Sequence, residues 1–166
     1  MELQLRTGTA DDTRAVGTAI APLLRIHDVM VLTGELGAGK TTLVRGIASG
    51  LGASEHVASP TFTLIREYVT GRIPIAHVDV FRLDRVQDVV DLALEEVEDG
   101  ACVLIVEWGD AVNELLPDDR LRVDLTSEDP AGGSDARRIA ITAEGPSWVE
   151  RADELVAVTG PWSAEP

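Results

Sequence analysis

Residues 34–42 read Gly-Glu-Leu-Gly-Ala-Gly-Lys-Thr-Thr, and the segments on either side of them follow different periods. Residues 29–34, Val-Met-Val-Leu-Thr-Gly, open on four apolar residues in a row and read as a strand buried on both faces. Residues 40–52 place Leu43, Ile47 and Leu51 on one helical face, with Gly52 at the stop. Strand, glycine-rich loop and helix in that order are the setting a phosphate-binding loop needs, and Gly34-x4-Gly39-Lys40-Thr41 satisfies its pattern. Glycines at this spacing let the backbone take unusual angles and let phosphate oxygens approach closely. Successive N–H groups ahead of a helix N-terminus make an anion cradle. Lys40 is the only lysine of the chain; the other 13 basic residues are arginines. A compact ammonium fits such a cradle where a planar, forked guanidinium does not.

On this reading Gly37, Ala38, Gly39, Lys40, Thr41 and Thr42 hold phosphates, and the Thr41 hydroxyl faces a magnesium ion. Magnesium also needs a carboxylate, usually at the end of a strand beside the loop. Two strand-like runs offer one: "IPIAHVD" ends on Asp79, and "CVLIVE" ends on Glu107. One acid can hold the metal while the other positions the attacking water, or either can simply face solvent. His77 lies two residues before Asp79 and so shares its side of the strand, where a core histidine is the plainer reading. No His/Cys cluster has zinc spacing. The Asn-Lys-x-Asp motif of guanine recognition needs a second lysine, so ATP is the better nucleotide.

The rest of the chain extends the same architecture. "LQLR" reads as an edge strand. Thr9 can cap a helix from Ala10 to Leu24, with Asp11 and Asp12 in its first turn. "ASPTF" (58–62) reads as a loop. Strands "TLIREYV" and "IPIAHVDVF" flank a turn at Thr70-Gly71-Arg72. Residues 84–98 read as an amphipathic helix with Val86, Val89, Val90, Ala93 and Val97 inward, and 101–108 as a buried strand. "RLRVDLT" (120–126) and "RRIAIT" (137–142) alternate around a flexible loop, and a short helix is expected over 147–156. The expected fold class is therefore α/β: a phosphate-loop NTPase-like mixed sheet flanked by helices, with antiparallel strands added in the C-terminal part. One domain over 1–158 and a flexible tail over 159–166 are expected.

Charge is divided unevenly. The chain carries −15, and residues 84–166 supply all of it, with 21 acids against 6 bases. A surface of that sign repels a phosphate backbone, so direct, sequence-specific nucleic-acid binding is not expected. It either aids solubility or offers a docking face to a basic protein. No apolar run approaches the length of a membrane span, the N-terminus lacks signal-peptide character, and a single cysteine, Cys102, excludes a disulfide framework. A cytoplasmic protein with no membrane partner is the expectation.

"GELGAGKTT", "SPTFTL" followed by "EY", "HVDVFRL" and "VEW" occur in this order, and over residues 9–109 they resemble the TsaE (YjeE) family. The helix beginning at Ala10 resembles the family's N-terminal helix. The resemblance implies a small Mg2+-dependent ATPase that acts with TsaB and TsaD in making threonylcarbamoyladenosine in tRNA. It implies that Lys40 contacts the terminal phosphates of ATP, that Thr41 and Glu107 contact magnesium, and that Asp79 is needed for hydrolysis. It further implies that Ser59, Pro60 and Thr61 form a switch loop, that Trp108 matches the family's tryptophan after the magnesium acid, and that Ala10 to Thr13 lie near the adenine. Phe81 stands where the family often has tyrosine. Gly133-Ser134 stands where some members have Gly-Arg; Arg137 is close enough in sequence to substitute, and whether it does is left open by the resemblance. Two other functions fit a phosphate loop alone: a small-molecule kinase, and a nucleotide-dependent switch that does not hydrolyse.

Overall fold

A computed structural model of the chain describes residues 1–60, 65–80, 91, 94–95, 100–129 and 133–164. The elements, in chain order, begin with β1 (Glu2–Thr7), α1 (Ala10–Ile20), β2 (Val29–Thr33) and α2 (Lys40–Gly50). They continue with β3 (Ile65–Tyr68), β4 (Ile75–Asp79), β5 (Val103–Glu107), β6 (Arg120–Ser127) and β7 (Arg137–Glu144). α3 (Pro146–Glu150) and α4 (Ala152–Thr159) close the series. The amphipathic helix expected over 84–98 falls largely outside the described residues.

The strands form one sheet in the order β1-β7-β6-β2-β5-β4-β3. β2 lies between β5 and β6 and is parallel to both. β4 is parallel to β5, whereas β3, β7 and β1 are added antiparallel. The sheet is mixed, as expected, but the antiparallel part begins one strand later than the sequence implied. β6 runs parallel to β2 and turns antiparallel only toward β7. β2, β4 and β5 are buried along their whole length, which accounts for their unbroken apolar runs.

Local chemistry sets the ends of the helices. Thr9 caps α1: its hydroxyl accepts from Asp12 N at 3.0 Å, and Asp12 Oδ2 accepts from Thr9 N at 3.0 Å. The α-helix stops at Ile20 rather than Leu24, because Pro22 lies within the 3-10 turn Ala21–Leu23 that follows. α1 and α2 pack with almost no side chain between them. A Cβ on Gly46 would stand 1.9 Å from Arg14 O, and one on Gly17 would stand 2.4 Å from Leu43 O. These glycines permit the close approach, and Val16, Ile20, Leu43, Val44 and Ile47 fill the space toward the sheet.

α4 joins the same layer through a buried ion pair. Arg151 Nη1 and Nη2 donate to Asp28 Oδ2 and Oδ1 at 2.7 and 2.8 Å, and the guanidinium stacks 3.8 Å over Trp148. Arg151→Met keeps much of the volume but leaves a buried carboxylate unpaired, which costs about 3–5 kcal/mol. A fall in Tm of about 10 °C is expected by circular dichroism. Beyond α4, Gly160–Trp162 forms a 3-10 turn, Ser163 bridges Leu5, and Ala164 N donates to Gln4 O at 2.8 Å. Residues 160–164 of the expected tail thus lie along β1.

Candidate functional site

The C-terminal ends of β2, β5 and β4 come together on one edge of the sheet. Register places Leu32 beside Glu107 and Glu107 beside Asp79. Alternation turns His77, Asp79 and Glu107 toward the face that α2 covers. The two acids are only 3 % and 2 % exposed.

The glycine-rich loop leaves β2 at Gly34, where φ is +129° and a Cβ would meet Leu125 O at 2.2 Å, so no other residue fits. Gly39 ends the loop with φ +107° as the N-cap of α2. Within the turn, Lys40 Nζ donates to Gly34 O at 2.6 Å and Glu35 O at 3.0 Å. The same ammonium stands 3.7 Å from the centre of the Trp108 ring. Trp108 reaches this position because its backbone is left-handed, with φ 62°, immediately after Glu107. The Thr41 hydroxyl donates to Glu107 Oε1 at 2.9 Å. Ala38 is buried in the core, and its carbonyl accepts from Arg137 Nε at 3.1 Å; Gly37 O accepts from Arg137 Nη2 at 3.3 Å. Arg137 therefore braces the outside of the loop.

Gly37, Gly39, Lys40, Thr41, Thr42, Ser59, Asp79, Glu107 and Trp108, together with exposed Leu36, line an open cavity of about 290 Å3. Ser59 closes its far side, with its hydroxyl donating to Asp79 Oδ2 at 2.7 Å. Pro60 is buried beside it, and Thr61 lies outside the described residues. Ala10 and Thr13 are not among the described residues lining the cavity. Ala10 is exposed at the start of α1, whereas Thr13 is buried and bonded to the Thr7 hydroxyl at 2.8 Å. Thr13 Cγ2 nevertheless lies 3.7 Å from the position a Cβ on Gly39 would take, so α1 abuts the end of the loop.

Two residues that sequence reasoning did not assign to the site belong to its framework. His77 has no exposed surface; its Nε2 lies 2.9 Å from Glu107 Oε1, and its Nδ1 lies 3.2 Å from the Tyr68 hydroxyl. Tyr68 also donates to Ala58 O at 3.2 Å. Burial pushes the Tyr68 phenol above its ordinary pKa, so it remains a donor. The signal for His77 was its two-residue offset from Asp79. Tyr68 gave none, because its contact depends on how β3 pairs with β4.

A family model described as "Threonylcarbamoyl adenosine biosynthesis protein TsaE" matches residues 7–139. The chain belongs to the TsaE family. It is 39% identical over 154 residues to the tRNA threonylcarbamoyladenosine biosynthesis protein TsaE of Bacillus subtilis, covering 93% of this chain and 94% of that one. It is 38% identical over 142 residues to the Streptomyces coelicolor TsaE, covering 81% and 93% of the two chains. It is 42% identical over 117 residues to the Treponema pallidum TsaE, covering 70% and 86%. The fold agrees with the crystal structure of Bacillus subtilis YdiB at a TM-score of 0.78 and 35% identity, covering 95% of each chain. Membership of the TsaE family puts the chain in tRNA threonylcarbamoyladenosine biosynthesis, on the phosphate-loop fold of nucleotide-binding proteins. No helix among the described residues is long and apolar enough to cross a membrane.

Proposed function

We propose that this TsaE-family chain is a Mg2+-dependent ATPase that binds the TsaB–TsaD complex in the cytoplasm and hydrolyses ATP to reset it between rounds of tRNA modification. The observation that supports this reading is that the two acids have different partners at the cavity. Glu107 is bonded to the phosphate-loop hydroxyl of Thr41 at 2.9 Å, whereas Asp79 is bonded to Ser59 across the cavity.

The oxygen donors suit magnesium, a hard cation that takes one or two carboxylates and completes its shell with water and substrate phosphates. Glu107 Oε1 takes the Thr41 bond, and Oε2 accepts no hydrogen bond from the described residues. Among the described residues, no three His, Cys, Asp or Glu groups converge as a metal cage, in keeping with a site that the nucleotide completes. Magnesium, when bound, would neutralise charge on the β- and γ-phosphates.

Gly37, Ala38, Gly39 and Thr42 hold the phosphates. Lys40 exchanges the Gly34 and Glu35 carbonyls for the terminal phosphate oxygens. Asp79 exchanges Ser59 for the attacking water and orients it toward the γ-phosphorus. Water adds to phosphorus, its proton passes through Asp79 to solvent, and the bond to the ADP oxygen breaks. Ala10 and Thr13 lie toward the adenine, at the end of α1 that abuts Gly39. Ser59, Pro60 and Thr61 form the switch loop, and Trp108 couples the site to the partner proteins. The acidic second half serves protein docking rather than contact with RNA.

Purified protein is expected to hydrolyse ATP slowly and to be stimulated by TsaB–TsaD, as read by phosphate release. If that complex changed neither turnover nor nucleotide affinity, the partner assignment would fail. Phosphate delivered to a small acceptor instead of water would mean a kinase.

A further inference from the structure

A buried line of hydrogen bonds runs from the backbone of the loop at Ala58 to the acid at the end of β5. The Tyr68 hydroxyl donates to Ala58 O at 3.2 Å and lies 3.2 Å from His77 Nδ1. His77 Nε2 lies 2.9 Å from Glu107 Oε1, which also accepts from Thr41. Tyr68 and His77 have no exposed surface, and neither touches the cavity that Ser59, Asp79 and Thr41 line. Glu107 Oε1 is thus held by two partners, Thr41 from α2 and His77 from β4. Ala58 immediately precedes Ser59, which bonds to Asp79. The loop at 58–59 therefore has two attachments: a direct one to Asp79, and an indirect one through Tyr68 and His77 to Glu107.

We propose that His77 and Tyr68 are positioning residues that fix the orientation of the Glu107 carboxylate and tie it to the loop at Ala58–Ser59. On this view metal affinity at Glu107 and the placement of the loop are coupled. The inference rests on the Mg2+-nucleotide reading of the cavity. His77 acts as a metal-site histidine without being a ligand: it turns Oε1 toward itself and Thr41 and leaves Oε2 for the ion. Side chains that orient a ligand in this way typically change metal affinity or activity about 10–100-fold when removed. A structural core histidine would show its loss in stability and leave the metal alone.

The test uses the full chain with ADP, and Mn2+ as the probe, with free Mn2+ counted by electron paramagnetic resonance. His77→Leu is expected to weaken Mn2+ binding in the ADP complex about tenfold or more while leaving metal-free ADP affinity unchanged. His77→Gln, whose amide can still donate to Glu107, is expected to recover most of that loss. Tyr68→Phe keeps the ring and removes only the hydroxyl, so it serves if His77→Leu does not fold. It is expected to weaken Mn2+ several-fold and to increase proteolytic cleavage near residue 58. Wild-type Mn2+ affinity in both His77→Leu and Tyr68→Phe would overturn the inference and leave the nucleotide reading intact. An equal fall in metal-free ADP affinity and in Mn2+ affinity would also overturn it, because it would mark a general structural role. If the wild-type protein bound no Mn2+ with ADP, both the inference and the nucleotide reading would fall.

Discussion

Asp79→Ala is expected to bind ATP with near-native affinity and to hydrolyse it about 10²–10⁴-fold more slowly, the usual cost of losing a group that orients and deprotonates a nucleophile. The expectation follows from where the side chain sits. Asp79 shares the cavity with the phosphate loop and accepts from the Ser59 hydroxyl on the neighbouring loop. Its loss leaves the anion cradle and the Thr41–Glu107 pair in place. Single-turnover phosphate release and calorimetric titration of ATP separate the two effects. Loss of binding together with turnover would show instead that Asp79 holds the architecture of the site.

Lys40→Ala is expected to fail at the earlier step. Removing one charge-assisted contact to phosphate costs about 1.5–3 kcal/mol, or about 10–150-fold in ATP affinity. The structure adds a second cost, since Lys40 satisfies the Gly34 and Glu35 carbonyls within a tight turn. Lys40→Arg is not expected to rescue binding, because Lys40 is 5 % exposed and its ammonium lies between those carbonyls and the Trp108 ring. Calorimetry with ATP checks both variants. Near-native affinity in Lys40→Arg would mean that charge alone matters there. That result would remove the reason for a lone lysine in a chain whose other basic residues are all arginine.

The parts of the fold that were legible in the sequence are those set by local pattern. β2, the glycine loop and α2 are written in adjacent residues, and the acids at 79 and 107 end runs whose burial shows as unbroken hydrophobicity. Thr9 and Asp12 form the cap that their three-residue spacing implies. Other features depend on partners far along the chain. Alternation in β6 reports two different faces but not strand direction, so its parallel pairing with β2 was not legible. The Arg151–Asp28 pair spans 123 residues, and neither residue has a local signature. At the site, the link between His77 and Glu107 needed the β4–β5 register, and the Tyr68 contact needed the β3–β4 register. The contact of Thr13 with the loop depends on how closely α1 packs against α2, which two glycines allow and no periodicity reveals.

The strand order has a consequence for the growing chain on the ribosome. Both neighbours of β2 in the sheet, β5 and β6, begin at residue 103 or later. The glycine loop is complete by residue 42, yet the carboxylate that meets Thr41 comes 66 residues after it. Synthesis runs from the N-terminus, and distant pairings wait for their second partner. A half-made chain therefore carries an unframed loop whose central strand has no neighbour on either side. Nucleotide chemistry at this site has to wait until the acidic half of the chain has emerged and the sheet has closed around β2.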